Sequence, residues 1–503
     1  MNTRQYLFYF LFCILFLSSC SDRPSAVPAT FTDVKEAVRI YPDYQGVTIP
    51  PNIAPLNFMV IDDAADAFVA DLSGLVCGAA ADGKMDLDTT AWRQLLTQHR
   101  GQDIAVSVYA RREQGWVRHP AFQLHVAEEP IDSFLSYRLI EPGYELYRQL
   151  GLYQRNLTNF TQTTIYENNR SYANEENHCV NCHNYQNYDT QRMLFHVRAA
   201  HGGTIITHGT EAHKIAIKHD SILGAGVYPS WHPTLPLVAF STNKTGQVFH
   251  LLYPEKIEVL DTESDLLLYD AERNEVQNVL RSTDALETFP CWTPDGRRLY
   301  YCSAKMPDVE GENLEATLTS RFDSLLYDIY SMPFDPATRT FGEPRLEADA
   351  SSQGMSCSVP RVSPDGRYLL YTYGKYGQFH IWHKSADLWV KDLKSLSGEG
   401  GPLTAANSPD ADSYHCWSSN GRWIVFSSRR DDGNFTRPYI TYFSAQGHAR
   451  KPFMLPQRDP EYNLLLLKSY NVPELTRSPV RVSIEEMNHV VRHTEAQVAR
   501  FKN

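Results

Sequence analysis

Cys179-Val180-Asn181-Cys182-His183 is the stretch of this chain whose residue types and spacing spell out a chemistry. Two thiols three positions apart can each add across a vinyl group of one porphyrin, giving two thioethers. The histidine directly after the second thiol is then set below the iron as its proximal ligand. The pattern points to one covalent haem c held by Cys179, Cys182 and His183. A zinc knuckle and a dithiol redox motif are the other chemistries that use paired cysteines. A zinc site needs a second ligand pair at short spacing, and the sequence has no second C-x-x-C. A dithiol motif belongs in a strand–helix unit, whereas the flanks here, Tyr166 to Tyr188, are rich in Asn and Tyr.

The sixth iron ligand decides between electron transfer and small-molecule binding. Met193, ten residues beyond His183, is the first choice and His196 the second. A core methionine beside Leu194 and Phe195 explains Met193 equally well. On a helix the two candidates would share a face; on a strand they would oppose, and at most one would face the iron. His201, His208, His213, Met355 and Met454 are outside candidates.

Covalent haem is attached outside the bacterial cytoplasm, so the chain should be exported. Arg4, the apolar run Tyr6 to Leu17 and Leu17-Ser18-Ser19-Cys20 read as a signal, too short to span a membrane. Small residues before a cysteine resemble the lipobox of bacterial lipoproteins. That resemblance implies a signal peptide over 1–19, lipidation of Cys20, an anchor and tether over 20–45, and attachment to the cell envelope at the outer membrane. Two or more acyl chains are enough for stable anchoring. Cys77, Cys291, Cys302, Cys357 and Cys416 remain, an odd number, and are expected mostly as buried thiols. The net charge of −12 excludes nucleic acid as a partner and offers no basic patch for anionic lipid.

The elements that must position the motif are mainly β. Residues 46–127 alternate as short strands around a helical stretch, Thr89 to His99, and suggest an immunoglobulin-like β-sandwich. Asp62, Asp63 and Asp66 are best read there as a solvated acidic loop. Residues 128–200 show weak periodicity and are expected to be a haem-binding connector, shaped by the cofactor it carries. From 201 to 470 the chain repeats. Trp231, Trp292, Val362 and Trp417 each precede a tight turn and an apolar strand, at intervals of 61, 70 and 55 residues. A strand, turn and strand unit repeated at such spacing is a propeller blade. Residues 471–503 are expected to be a C-terminal extension with an amphipathic helix after Ser483.

Ser363-Pro364-Asp365-Gly366-Arg367 matches fully the turn of the TolB-like (WD40-like) propeller repeat, and Thr293-Pro294-Asp295-Gly296-Arg297 matches with Thr for Ser. The chain resembles that family, which implies a β-propeller of six blades. Four copies are plain; the others would come from Gly202 to His219, the C-terminal strands or divergent segments. The whole also resembles exported lipoproteins that join a sandwich, a C-x-x-C-H segment and this propeller.

No catalytic triad, carboxylate pair of defensible spacing or phosphate loop is evident, which disfavours a hydrolase. The expected function is an envelope lipoprotein with one covalent haem, acting in electron transfer or redox sensing, its propeller docking a protein partner. The alternatives are a recognition or scaffold lipoprotein binding a protein or glycan, and a haem enzyme with an open sixth position.

Overall fold

The structure, a computed structural model, describes residues 23–141, 149–170, 178–253, 255, 257–307, 314–395 and 398–502. The signal and Cys20 lie outside the described residues. The chain divides into two compact units. The first holds the residues up to Val47, Pro55–Val126 and Pro456–Leu464; the second holds Thr48–Ala54, Ala127–Leu455 and Leu465–Asn503.

In the first unit, Asp103–Arg112 lies central in a sheet ordered Thr32–Asp33, Gly115–Arg118, Asp103–Arg112, Ala65–Leu72 and Leu75–Ala80. Its alternation is that of a half-buried strand: Ile104, Val106 and Val108 are buried. Where a sandwich would have a second full sheet, there is a two-stranded ribbon, Ile40–Tyr41 with Met59–Val60, and the helix Thr89–Gln98. Asp88 caps that helix by accepting from the Ala91 amide at 2.8 Å, and Trp92, Leu95 and Leu96 form its buried stripe. The tether is shorter than 20–45. Thr32–Asp33 pairs with Val117–Arg118, and Val38, Ile40 and Tyr44 are buried, so the fold is under way by residue 32. In the acidic loop, Asp62 pairs with Arg112 at 2.8 Å and Asp66 with Arg111 at 2.7 Å.

The second unit is a six-blade β-propeller. Blades three to six are the four plain repeats, beginning at Val227–Trp231, Ala285–Trp292, Ser356–Val362 and Asp412–Trp417. Each first hairpin closes through the turn that the sequence marks. In blade five Ser363 donates to Asp365 at 2.5 Å, Asp365 accepts from the Arg367 amide at 3.0 Å, and Gly366 takes φ 67°.

Residues 128–200 are not a connector. Phe134–Ile140, Gly151–Asn156 and Gln162–Glu167 are three strands of blade one, and His178–Gln186 and Asp189–Ala199 are the first two of blade two. The C-terminal region is not an extension either. Ser469–Thr476 pairs with Phe134–Ile140 and supplies the fourth strand of blade one, closing the ring. Gln497–Val498 and Arg500–Phe501 then add in parallel to the outer strands of blades two and three. Ser483 does cap a helix, Ile484–His493, whose Met487, Val490 and Val491 pack on the core shared by blades one and two.

Candidate functional site on the propeller axis

The inner strands of the six blades share one irregularity. The antiparallel register slips at the same place in each, leaving one residue bulged at positive φ. These residues are Cys182, Tyr228, Phe289, Val359, Tyr414 and Val472, with φ between 45° and 56°. All six line one cavity of about 40 Å³, together with Asn181, His183 and Arg361. Positive φ is strained for non-glycine residues and worst for β-branched ones, so it persists only because the surrounding ring fixes it.

The next position is proline in four blades: Pro229, Pro290, Pro360 and Pro473. Proline fits because the bulge skips a ladder hydrogen bond, so an amide there has nothing to do. Blades two and six carry histidine instead, His183 and His415. Both imidazoles are buried, and no ring nitrogen of either makes a hydrogen bond of good geometry, only weak approaches to the backbone of Ser136 at His183 and of Leu370 and Val359 at His415. Burial is the main reason that His183 and His415 are both lowered to about 3, with Arg138 adding to the effect at His183 and Arg361 at His415.

One position further on, the side chains stitch neighbouring blades together. Asn184 accepts from the Trp231 amide at 3.1 Å, and Ser230 from the Trp292 amide at 3.2 Å. Arg361 of blade five reaches past blade six instead, to pair with Glu474 of blade one at 3.2 Å. Cys182-His183-Asn184-Tyr185 is therefore blade two's copy of Tyr228-Pro229-Ser230-Trp231 and Tyr414-His415-Cys416-Trp417. Aligning those segments is the signal that places the motif on an inner strand.

The structure separates the predicted haem residues. Cys182 lines the axial cavity, and burial pushes its thiol up. Cys179 instead packs in the core between blades one and two, with Leu152, Tyr166, Met193 and Phe195. Met193 is in that core and fully buried, while His196 lines a different cleft and shares Nδ1 with the Thr204 hydroxyl at 3.2 Å. The two sit on a strand and oppose, and neither lines the cavity beside His183. A porphyrin needs both thiols along one edge and a space of several hundred Å³, the ordinary range for ligand pockets. As placed, Cys179, Cys182 and His183 do not fit it. Among the described residues no three His, Cys, Asp or Glu side chains are arranged to hold a metal ion. Cys291, Cys302, Cys357 and Cys416 are free, buried thiols, and Cys77 is half-buried.

A second cluster escaped the sequence reading. The hairpin Leu237–Phe249 with Ile257–Asp270 is far longer than its counterpart in blade five, Tyr368–Gly374 with Asp387–Asp392. On it, buried Glu258 accepts from His383 Nε2 at 2.8 Å and from the Tyr376 hydroxyl at 2.7 Å. Nearby Asp261 accepts from Asn243 at 2.8 Å and Gln378 at 3.3 Å, and burial raises its carboxyl to about 7 against the pull of Asn243. The network fastens the hairpin to the loop after Tyr368–Gly374. The only sequence signal for it was the excess length between Trp231 and Trp292.

No family model and no curated protein matches this chain. Among solved structures it is similar to prolyl oligopeptidase B from Galerina marginata, at 9% identity and TM-score 0.37, covering 69% of this chain and 42% of that one. An oligogalacturonate lyase in complex with manganese matches at 14% identity and TM-score 0.30, covering 69% of this chain and 87% of that one. A luciferin-regenerating enzyme matches at 10% identity and TM-score 0.35, covering 63% and 90%. This chain thus spans less than half of the oligopeptidase, and likenesses this distant carry no activity over to it.

Proposed function

We propose that this protein is an envelope lipoprotein, anchored at Cys20, whose propeller docks a protein partner. The observation that carries the reading is the tip of the long blade-three hairpin. Leu251 and Leu252 stand there side by side at 97% and 101% exposure, flanked by exposed Phe249 and Tyr253. Grouped apolar exposure of this kind marks interaction surfaces. Burying one such leucine contributes about 1.5–3 kcal/mol. Behind the tip, His250 packs on Phe322 at 4.4 Å between ring centroids, so the apolar end is held in place. A photo-crosslinking residue at position 252 should give discrete protein adducts in the envelope, lost when Phe249 and Leu251 are replaced by Ser. Equal adducts from exposed Asp335 on blade four would sink the reading.

A second reading keeps the haem, with electron transfer as its use, and His183 favours it: a buried imidazole with neither nitrogen in a hydrogen bond of good geometry is a ligand without a task. Haem c would occupy Cys179, Cys182 and His183 and supply one-electron chemistry. Because the two thiols face different compartments, this reading requires His178–Gln186 to leave its place in blade two. A visible spectrum and an intact mass of the chain matured with a haem-attachment system test it. An unmodified mass and no haem absorbance would refute it and leave docking untouched.

A further inference from the structure

Leu464, Leu465, Leu466 and Leu467 are four leucines in a row, and the fold leaves most of that run in solvent. Leu464, Leu465 and Leu467 stand at 53%, 72% and 70% exposure, and Tyr462 beside them is exposed as well. Grouped apolar exposure marks a contact surface. The backbone of the run already has partners. The Tyr462 amide donates to the Asp459 carbonyl at 3.0 Å and the Leu464 amide to the Glu461 carbonyl at 2.9 Å. The Arg437 guanidinium donates to the carbonyls of Leu466 and Lys468 at 2.8 and 2.6 Å. Leucine side chains presented on a satisfied backbone can enter lipid at little polar cost. We propose that this run dips into the bilayer that holds the lipidated Cys20, a second, non-covalent membrane contact that rests on the lipid anchor proposed above.

The bilayer is the occupant because the anchor lies close by. Arg23 and Pro24 pack against the strand Leu75–Ala80: the Pro24 carbonyl fills the space that a Cβ on Gly78 would need, and the charge of Arg23 acts on the Cys77 thiol. Cys20 is three residues before Arg23, at most about 10 Å of chain. From Cys77 a short path runs to the leucines within the first unit. The Cys77 thiol donates to the Asp86 carbonyl at 3.4 Å, the Asp86 carboxylate accepts from Asn57 Nδ2 at 3.3 Å, and the same nitrogen donates to the Arg458 carbonyl at 2.8 Å. Lys84 then holds Asp459 at 3.0 Å and Glu461 at 2.5 Å, directly before Tyr462. A bilayer pinned at Cys20 is therefore held beside the run at high effective concentration. With a net charge of −12 the chain as a whole is repelled by anionic headgroups, so its contact with lipid has to be apolar. The leucines supply the apolar area, and Tyr462 supplies an amphipathic ring of the kind that sits at headgroup level. Exposed Arg458 and half-buried Lys468 flank them on the polar side. Such a segment reaches about 5–10 Å into the boundary between headgroups and acyl chains.

The test is site-specific photo-crosslinking of the full mature chain in vesicles of phosphatidylethanolamine and phosphatidylglycerol, with adducts identified by mass. A photoreactive residue at position 465 should give phospholipid adducts at least tenfold above one at exposed Asp335. Leu464→Ser combined with Leu467→Ser should cut the adducts at 465 at least fivefold and leave thermal unfolding unchanged. Should that variant fail to fold, the contrast between positions 465 and 335 in the otherwise native chain still decides. Lipid adducts at 465 no more frequent than at 335 would overturn the proposal. Adducts to a second copy of the chain in place of lipid would also overturn it, as would lipid adducts undiminished in a folded Ser variant. Intact mass separates this contact from the anchor on which it rests. An acylated Cys20 without lipid adducts at 465 sinks the contact and leaves the anchor standing, whereas an unacylated chain sinks the anchor and the contact with it.

Discussion

Blades two and five have the same backbone plan and opposite chemistry. Both begin with an inner strand bulged at positive φ, at Cys182 and at Val359. In blade five the bulge is followed by Pro360, and the hairpin closes through Ser363-Pro364-Asp365-Gly366. Burial would push the Asp365 carboxyl up, but hydrogen bonds from Ser363 and the Arg367 amide hold it below its ordinary value. In blade two the bulge is followed by His183, and the hairpin closes through Asn187 and Tyr188, at φ 47° and 64°. That is a two-residue turn of the mirror-image type favoured in hairpins. The difference teaches that blade two's reactive side chains occupy positions that the repeat already provides. The motif was placed on existing geometry rather than given a domain of its own.

The comparison breaks most severely if Ser469–Asn503 is removed. Blade two would lose the inner strand of its neighbour, the helix packed beside Cys179 and its own outer strand Gln497–Val498. Cys179 should then react with a thiol reagent at least tenfold faster, while Cys357 in blade five changes less. Equal exposure of both thiols would show that the blades do not open separately.

A smaller effect should follow from His183→Pro, which makes blade two obey the repeat. Leaving a buried polar group unsatisfied costs about 1–3 kcal/mol, so the variant should melt at or above the parent. The expected pH dependence sharpens this. His183 sits near 3 in the folded chain against 6.5 ordinarily, so the unfolded chain takes up the proton first as pH falls. Its contribution is present above pH 6.5 and is lost as pH falls from there toward 3. Urea unfolding should show the Pro variant losing less stability than the parent between pH 7 and 4. The reverse substitution, Pro360→His, should destabilise blade five by about the amount gained in blade two.

The smallest effect belongs to Ser363→Ala, which removes the hydroxyl that donates to Asp365 and accepts from the Tyr368 amide. Thermal unfolding should show a loss of about 1 kcal/mol. An equal loss from Thr190→Ala in blade two, whose hydroxyl bonds Ser478 and Pro479 rather than its own turn, would show that the blade-five turn has no special weight.

The same contrast explains what was legible. Blades four to six announced themselves because each turn needs Gly at positive φ directly after a short Asp or Asn acceptor, a local requirement that leaves a local mark, while blade three, whose turn has no such glycine, showed only through the apolar strand that follows Trp231. Blade two was legible only in its outer half, Gly202 to His219, because its first hairpin turns through Asn187-Tyr188, and blade one only in its C-terminal strand, because its strands come from both ends of the unit. Phe134 pairs with Thr476, a partner that no window of sequence contains. The candidate site was half legible. Spacing singled out Cys182 and His183, though as haem residues and not as part of an axial cavity. That Cys179 faces the core of two blades was not, because the bulge that turns it from Cys182 is a property of the ring. Met193 and His196 lie on a strand and oppose, the second of the two cases that the sequence left open.

That closing strand also governs how the protein is made. Synthesis delivers Phe134–Ile140 more than 300 residues before Ser469–Thr476, so through that interval blade one has an open, buried-type edge with no partner. Unpaired edges of this kind recruit other strands, and pairings so distant in sequence form slowly. The interval is therefore the chain's period of greatest exposure to aggregation, and a holding chaperone that recognises extended apolar segments would act on Leu135, Tyr137 and Leu139 until Ser469–Thr476 arrives.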